Sequence, residues 1–218
     1  MVKSRVAASS RASRTPQAGV VGQVRIIGGQ WRSRILRFAP VPDLRPTPDR
    51  VRETLFNWLG QDLTGLCCLD LFAGSGALGF EALSRNAREV VFVESDSRVR
   101  AGLAATALSL RAGTRARTGA GDALQFLRSA DTAFDLIFLD PPFKHDLLGS
   151  LWPAVSERAA PGARIYIESE AAFVPAAPWR TWKAGRAGAV HYQLAVREDL
   201  CKRGPGLPIS GCIGLNQS

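Results

Sequence analysis

Two histidines, His145 and His191, stand far apart with no cluster of carboxylates around either, which argues against a metal enzyme. Cysteine is also scarce. Cys67 and Cys68 are adjacent inside an apolar run, where cysteine behaves as a small hydrophobe, and Cys201 and Cys212 fall in a Gly/Pro-rich tail. No disulfide framework or structural metal is expected, and a reduced, intracellular setting is. No apolar run approaches the roughly eighteen residues of a membrane span, so no membrane partner is expected. The first 22 residues contain no acid at all. With apolar residues at 46 %, the chain as a whole is nonetheless no disordered protein, and 218 residues suit one domain with appendages.

Charge is unevenly placed. Residues 1–60 hold eleven Lys/Arg against three Asp/Glu, whereas the remaining 158 residues hold seventeen against sixteen. Nearly the whole net charge of +9 therefore sits in the N-terminal quarter. A basic region beside a near-neutral domain points to a polyanion, with nucleic acid the leading candidate.

The stretch that organises the chain is Leu66 to Gly79. An apolar run ends in Asp70, glycines follow at Gly74, Gly76 and Gly79, and an Ala/Leu-rich helical segment begins at Ala77. This is a buried strand turning sharply into a helix, a cradle for a cofactor whose atoms approach the backbone. The glycines satisfy G-x-G-x-x-G, and Glu94 lies twenty positions after Gly74, so a dinucleotide is one candidate. S-adenosylmethionine (SAM) is the other. Asp70 favours it, because an acid just before the glycines opposes a pyrophosphate but attracts a sulfonium and an α-ammonium.

Ahead of the cradle, Val24 to Ile27 and Arg34 to Phe38 flank Gly28-Gly29-Gln30-Trp31-Arg32-Ser33, the pattern of a hairpin. One face would carry Arg25, Arg32, Arg34 and Arg37 with Trp31 near the turn, a surface suited to phosphates and a stacked base. The next segment reads as a helix with Thr47 as N-cap, Pro48 at the first helical position and a core stripe of Val51, Leu55, Trp58 and Leu59. Its start, with Arg45 and Thr47, would face the cofactor.

Strands and helices then alternate: strand Glu89–Glu94, helix Ser97–Leu110, a weak strand near Arg115–Thr118, and a short helix opened by Asp122-Ala123. Strand Phe134–Leu139, helix Leu147–Arg158, strand Ala163–Glu168 and a hairpin within Trp179–Arg197 follow. The expected fold is α/β, a mostly parallel doubly wound sheet closed by an antiparallel hairpin. Its divisions are a disordered basic arm (1–22), a basic hairpin for RNA contact (23–44), the main α/β domain (45–199) and a disordered tail (200–218).

Phe134 to Leu139 runs directly into Asp140-Pro141-Pro142-Phe143. The prolines stiffen the loop and remove N–H donors, so it presents acceptors only, the Asp140 carboxylate and carbonyls of the Pro141-Pro142 segment. Acceptors beside the aromatic plate of Phe143 suit a planar base with an exocyclic amine. Holding both amine hydrogens turns its conjugated lone pair toward a sulfonium methyl, and stacking on Phe143 adds on the order of 1–3 kcal/mol. Asp140 would also stabilise the charge developing on nitrogen. His145 reads as an exposed helix start, His191 as packing, and Glu168 and Glu170 lie near the site without an assigned role.

Asp140 to Phe143 resembles the (D/N)PP(Y/F) signature of methyltransferases acting on the amino groups of adenine or guanine. Together with Arg25-Ile26-Ile27-Gly28-Gly29-Gln30-Trp31-Arg32, the Arg45–Leu59 segment, Phe72–Arg85 and Tyr166-Ile167-Glu168-Ser169-Glu170, it resembles the RsmD family over residues 23–198. That resemblance implies a class I SAM-dependent methyltransferase fold and transfer to N2 of one guanine in 16S ribosomal RNA on the small subunit. It also implies a bacterial, cytoplasmic enzyme, although the Arg/Ser-rich start leaves organellar import open. Carried over by position, Asp70, Phe72, Gly74 and Gly76 would line SAM, Glu94 would hold its ribose, and Asp122 with Ala123 its adenine. Asp140 to Phe143 would hold the base. A monomer is expected. The alternatives are a DNA adenine-N6 methyltransferase, a non-catalytic RNA-binding assembly factor and a nicotinamide-dependent dehydrogenase.

Overall fold

The computed structural model describes residues 22–38, 47–142 and 147–198. The arm at 1–21, the tail from residue 199, Arg45, Phe143 and His145 lie outside the described residues, so the expectations placed on them have no structural counterpart here.

A two-stranded antiparallel ribbon opens the chain, β1 (Gly22–Arg25) with β2 (Ile35–Phe38), joined through a 3-10 turn at Gly29–Trp31. Helix α1 (Asp49–Leu59) leads into β3 (Cys67–Asp70), α2 (Ala77–Ser84), β4 (Glu89–Glu94), α3 (Ser97–Ser109) and β5 (Ala116–Ala120). The chain then crosses to the far side of β3 through α4 (Ala123–Ser129) and builds β6 (Phe134–Leu139), α5 (Leu147–Glu157), β7 (Ala159–Ser169), β8 (Trp179–Ala187) and β9 (Val190–Arg197). The seven-stranded sheet has the order β5-β4-β3-β6-β7-β9-β8, parallel from β5 to β7 and antiparallel at β9 and β8. The last strand in sequence thus lies between its hairpin partner and the parallel part.

Alternation along each strand sorts the core into two layers, as the period of two requires. Cys68, Val90, Phe92, Leu136, Phe138 and Tyr166 face α1, α2, α3 and the ribbon. Cys67, Leu69, Val91, Val93, Ile137, Leu139 and Ile167 face α4 and α5. Strands buried on both faces read as near-continuous apolar runs, broken in β6 only by Asp135, whose carboxylate accepts the Cys67 amide, and β4 and β6 have the bounds that the sequence predicts.

Three local expectations need correction. Pro48, not Thr47, is the residue preceding α1, and it makes no side-chain cap. The Thr47 hydroxyl instead donates to Glu168 Oε1, a charge-assisted bond to a buried acid at a strand end, whereas a cap would have used its oxygen to accept from the helix amides. β7 begins at Ala159, four residues before the expected Ala163, with a shift of register opposite Phe134 and Leu136. The stripe of α1 also includes Phe56 and, at its centre, the fully buried Arg52.

α2 is buried on every side, since the sheet covers one face and the Gly28–Trp31 turn another. The Trp31 amide donates to Ser84 Oγ at 2.9 Å, and the Gln30 side chain donates to the Leu83 carbonyl at 3.2 Å. Gly29 has φ +72°, and a Cβ there would overlap the Ser84 carbonyl, so only glycine lets the turn sit this close to α2.

Candidate active site

β3 is the topological switch point: the chain winds to β4 and β5 on one side and to β6 and β7 on the other, and open α/β sheets bind ligands outside the strand ends at that place. Register fixes what meets there. Asp70 of β3 is opposite Phe138 of β6, which is opposite Tyr166 of β7. Asp140 and Glu168 each lie two residues further along, so all three acids share the sheet face covered by α1 to α3.

Asp70 is buried and accepts the Gly79 amide on Oδ2 at 3.0 Å. Burial pushes its carboxyl up to about 7, aided by the nearby charge of Glu94 and opposed by the Gly79 hydrogen bond. The loop that follows has the backbone freedom predicted for it. Gly74 and Gly76 have φ +50° and +75°, and a Cβ on Gly76 would come within 2.6 Å of Phe80 and 2.7 Å of Leu103.

Glu94 closes the loop from the end of β4, accepting Gly74 N–H on Oε2 at 3.1 Å and Asp96 N–H on Oε1 at 2.9 Å. Phe72 is half-buried against the α4/α5 layer. Asp122 is exposed at the end of β5 and caps α4, its Oδ1 accepting from Leu124 and Gln125 N–H at 2.9 and 3.2 Å. A ligand there would meet Oδ2, the backbone and the buried Ala123. The cradle thus offers a buried acid, a glycine turn and a second acid on the neighbouring strand, a donor set that fits SAM.

Asp140 keeps partial solvent contact, with Pro141 buried and Pro142 exposed. Burial, then the neighbouring Glu168, then Asp70 push the Asp140 carboxyl well above the ordinary carboxylate range. Glu168 is itself buried. Its Oε1 accepts two hydroxyls, Thr47 Oγ1 and Tyr166 Oη, each at 2.9 Å. Burial raises Glu168 while these two donors hold it down. The sequence placed Glu168 near the site without a role, and the strand register was the signal that could have paired it with Asp140.

The ribbon departs from expectation at one residue. Trp31 is 7 % exposed and packs in the core with the Arg115 guanidinium 5.3 Å above its ring, so its face is not offered to a base. The turn is held down by its hydrogen bonds to α2, which carry the indole inward. Arg25, Arg32, Arg34 and Arg37 are exposed. Of these, Arg25 and Arg37 lie on the outer face of the ribbon with Gln23 and Ile35, opposite the buried Val24 and Leu36.

Sequence reasoning missed Glu81 and Arg52 altogether. Glu81, fully buried in α2, accepts the Ile27 and Gly28 amides at 2.8 Å each, Arg85 at 2.7 and 2.9 Å, and Arg52 at 3.5 Å. Arg52 also donates to the Arg25 carbonyl, the Thr47 carbonyl and Asp49. The network ties the basic ribbon to the helix that closes the cradle. Among the described residues no group of three or more His, Cys, Asp or Glu is placed to hold a metal. No helix among them is long and apolar enough to cross a membrane.

This strand order, with the final strand running backwards inside the closing hairpin, is that of the SAM-dependent methyltransferases. Comparison narrows the class. A family model described as conserved hypothetical protein 95 matches residues 24–196. Ribosomal RNA small subunit methyltransferase D of Escherichia coli strain K12 is 45 % identical over 182 residues, covering 81 % of this chain and 91 % of that protein. A solved Escherichia coli structure assigned as a methyltransferase is 46 % identical, with a TM-score of 0.73 over 81 % of this chain and 99 % of that one. A more distant methyltransferase structure, complexed with SAH and 14 % identical, shares the fold at a TM-score of 0.63 over 87 % of this chain and 58 % of that one. The chain belongs to the RsmD family of SAM-dependent methyltransferases.

Proposed function

We propose that the protein transfers a methyl group to the exocyclic N2 of a guanine in 16S ribosomal RNA, acting on the small subunit or its assembly intermediate in the bacterial cytoplasm, as a monomer. The observation that carries this reading is the switch point itself. Asp70 at the end of β3 and Asp140 just past the end of β6 sit on one face of adjacent strands, which supports a reading in which the first receives the cationic end of the cofactor and the second the amine of the base.

SAM, when bound, supplies an electrophilic methyl on a sulfonium. Asp70 and the Gly74–Gly76 turn would receive its charged amino-acid end, Glu94 its ribose, and Asp122 with Ala123 its adenine. Asp140 and a carbonyl of the Pro141-Pro142 segment accept the two N2 hydrogens of the base, turning the amine lone pair away from the ring system. The N–C bond forms as the C–S bond breaks, with that electron pair going to sulfur. One N2 proton then leaves by way of Asp140, whose raised proton affinity suits it to accept. Arg25, Arg32, Arg34 and Arg37 give the ribbon a phosphate-binding surface.

The test is transfer of labelled methyl from SAM to unmodified small ribosomal subunits and, side by side, to naked DNA, followed by nucleoside analysis. N2-methylguanosine from the subunits alone is expected. N6-methyladenine from the DNA would keep the Asp140 chemistry and overturn the substrate.

A further inference from the structure

Glu168 is a buried acid beside Asp140 to which the mechanism above gives no task. It is 5 % exposed, and its Oε1 alone takes both hydroxyls, Thr47 from the segment before α1 and Tyr166 from two positions earlier on β7. Among the described residues no hydrogen bond reaches Oε2. Oε2 is not among the buried side-chain atoms left without a partner, so it still touches solvent and can be reached; desolvating the rest of the carboxylate costs free energy that an apolar side chain of similar volume would not.

Its position gives the unfilled oxygen a use. β6 and β7 pair in parallel through Phe138–Tyr166 and Leu139–Ile167, and one further step sets Asp140 beside Glu168. Strand neighbours stand about 4.8 Å apart. Side chains that leave positions this close can each bring one carboxylate oxygen to adjacent donors on one planar ring. Guanine presents such a pair, N1–H next to the N2 amine. Adenine presents its amine next to a bare N1 lone pair, which a carboxylate repels.

We infer that Glu168 reads the target base by accepting guanine N1–H while Asp140 accepts from the adjacent N2 amine, with Thr47 and Tyr166 as the positioning residues that hold Glu168 in place. The inference rests on the guanine-N2 reading above. It assigns the choice of guanine over adenine to one buried acid, placed by a register in which neighbouring strands end side by side. A site built to accept a donor rejects an analogue lacking it, because a buried charge is then left unpaired.

The experiment compares small subunits carrying guanine at the methylated position with reconstituted subunits carrying 2-aminopurine there, which keeps the 2-amine but presents N1 as an acceptor. Wild-type protein is expected to favour guanine by about ten- to a hundredfold or more in kcat/KM, the range of a hydrogen bond to a charged group. Glu168→Gln is expected to lower the guanine rate and to shrink that ratio at least tenfold, because the amide can turn an N–H toward N1. Thr47→Val is expected to shrink it less. A wild-type protein that methylates both bases equally, or a folded Glu168→Gln protein that keeps the full ratio, would overturn the inference. The wild-type comparison decides even where the variant fails to fold. A wild-type protein that leaves guanine N2 unmodified in the subunits overturns the underlying reading instead, and that result is distinct from equal use of the two bases.

Discussion

The Gly28 amide of the N-terminal turn donates to Glu81 Oε1 at 2.8 Å, joining residues 53 positions apart. The same oxygen takes Arg85, while Oε2 takes the Ile27 amide and Arg52. One acid therefore fixes the basic ribbon, α1 and the cofactor helix to each other. Breaking a buried pair by removing one partner typically costs about 3–5 kcal/mol, because the remaining charges stay buried. Glu81→Gln is expected to lose stability on that scale in denaturant unfolding, with the buried Arg85 left without its carboxylate and Arg52 keeping Asp49. A loss below about 1 kcal/mol, the size of an exposed pair, would contradict the clamp.

Asp70 ties stability to pH with a defined sign. Its folded pKa of about 7 exceeds the ordinary carboxylate value of 3.8, so between these limits the folded protein holds a proton that the unfolded chain has released. Stability from this group is therefore complete at low pH and lost as pH rises toward 7, by on the order of 4 kcal/mol in full. Asp70→Asn keeps an acceptor for Gly79 N–H and removes the titration. Its melting temperature should rise relative to wild type between about pH 4 and pH 8, while its affinity for SAM falls at least tenfold. Parallel melting curves for the two proteins across that range would contradict the burial argument.

Asp140 should be separable from cofactor binding. Asp140→Ala is expected to abolish methyl transfer while SAM still binds, since the acid belongs to the β6 edge and not to the glycine turn. In wild type, single-turnover transfer should decline as pH falls through a range above that of ordinary carboxylates, because burial, Glu168 and Asp70 all favour the protonated form. Full activity in the alanine variant would remove Asp140 from the chemistry.

The ribbon divides into exposed arginines and a buried tryptophan, and the proposed RNA contact predicts different outcomes for the two. Replacing Arg25 and Arg37 with alanine should reduce the log–log salt slope of RNA affinity by about 0.7–0.9 for each phosphate that is no longer neutralised, with little change in melting temperature. Trp31→Ala should do the opposite, costing about 3–5 kcal/mol as a core truncation and leaving the salt slope intact. An unchanged slope in the double arginine variant would move the RNA-binding surface elsewhere.

Gly76 tests the cradle directly. Its φ of +75° and the crowding by Phe80 and Leu103 predict that Gly76→Ala strains the turn and displaces the loop. SAM affinity should fall by more than tenfold in calorimetry, a far larger effect than Gly113→Ala at another left-handed turn with open space around it.

Much of this protein is decided within short stretches of sequence. Val90 to Val93 in β4 and Leu136 to Leu139 in β6 are short apolar runs rich in β-branched and aromatic residues, the length and composition of strands covered on both faces, so Glu89–Glu94 and Phe134–Leu139 could be bounded without coordinates. The glycine turn after Asp70 and the acid-proline edge after Leu139 are equally local, because backbone freedom and missing N–H donors are properties of the residues themselves. What only the tertiary structure decided is where polar atoms find partners. Thr47 has the chemistry of a helix cap and instead binds Glu168, 121 positions away. Trp31 has the chemistry of a base platform and instead lies under Arg115. Glu81 and Arg52 look like exposed helix charges and are fully buried in one network. Hydrophobic periodicity sets which face of an element turns inward, but it does not say what waits there. That depends on strand order and register, and those are settled only when the sheet closes.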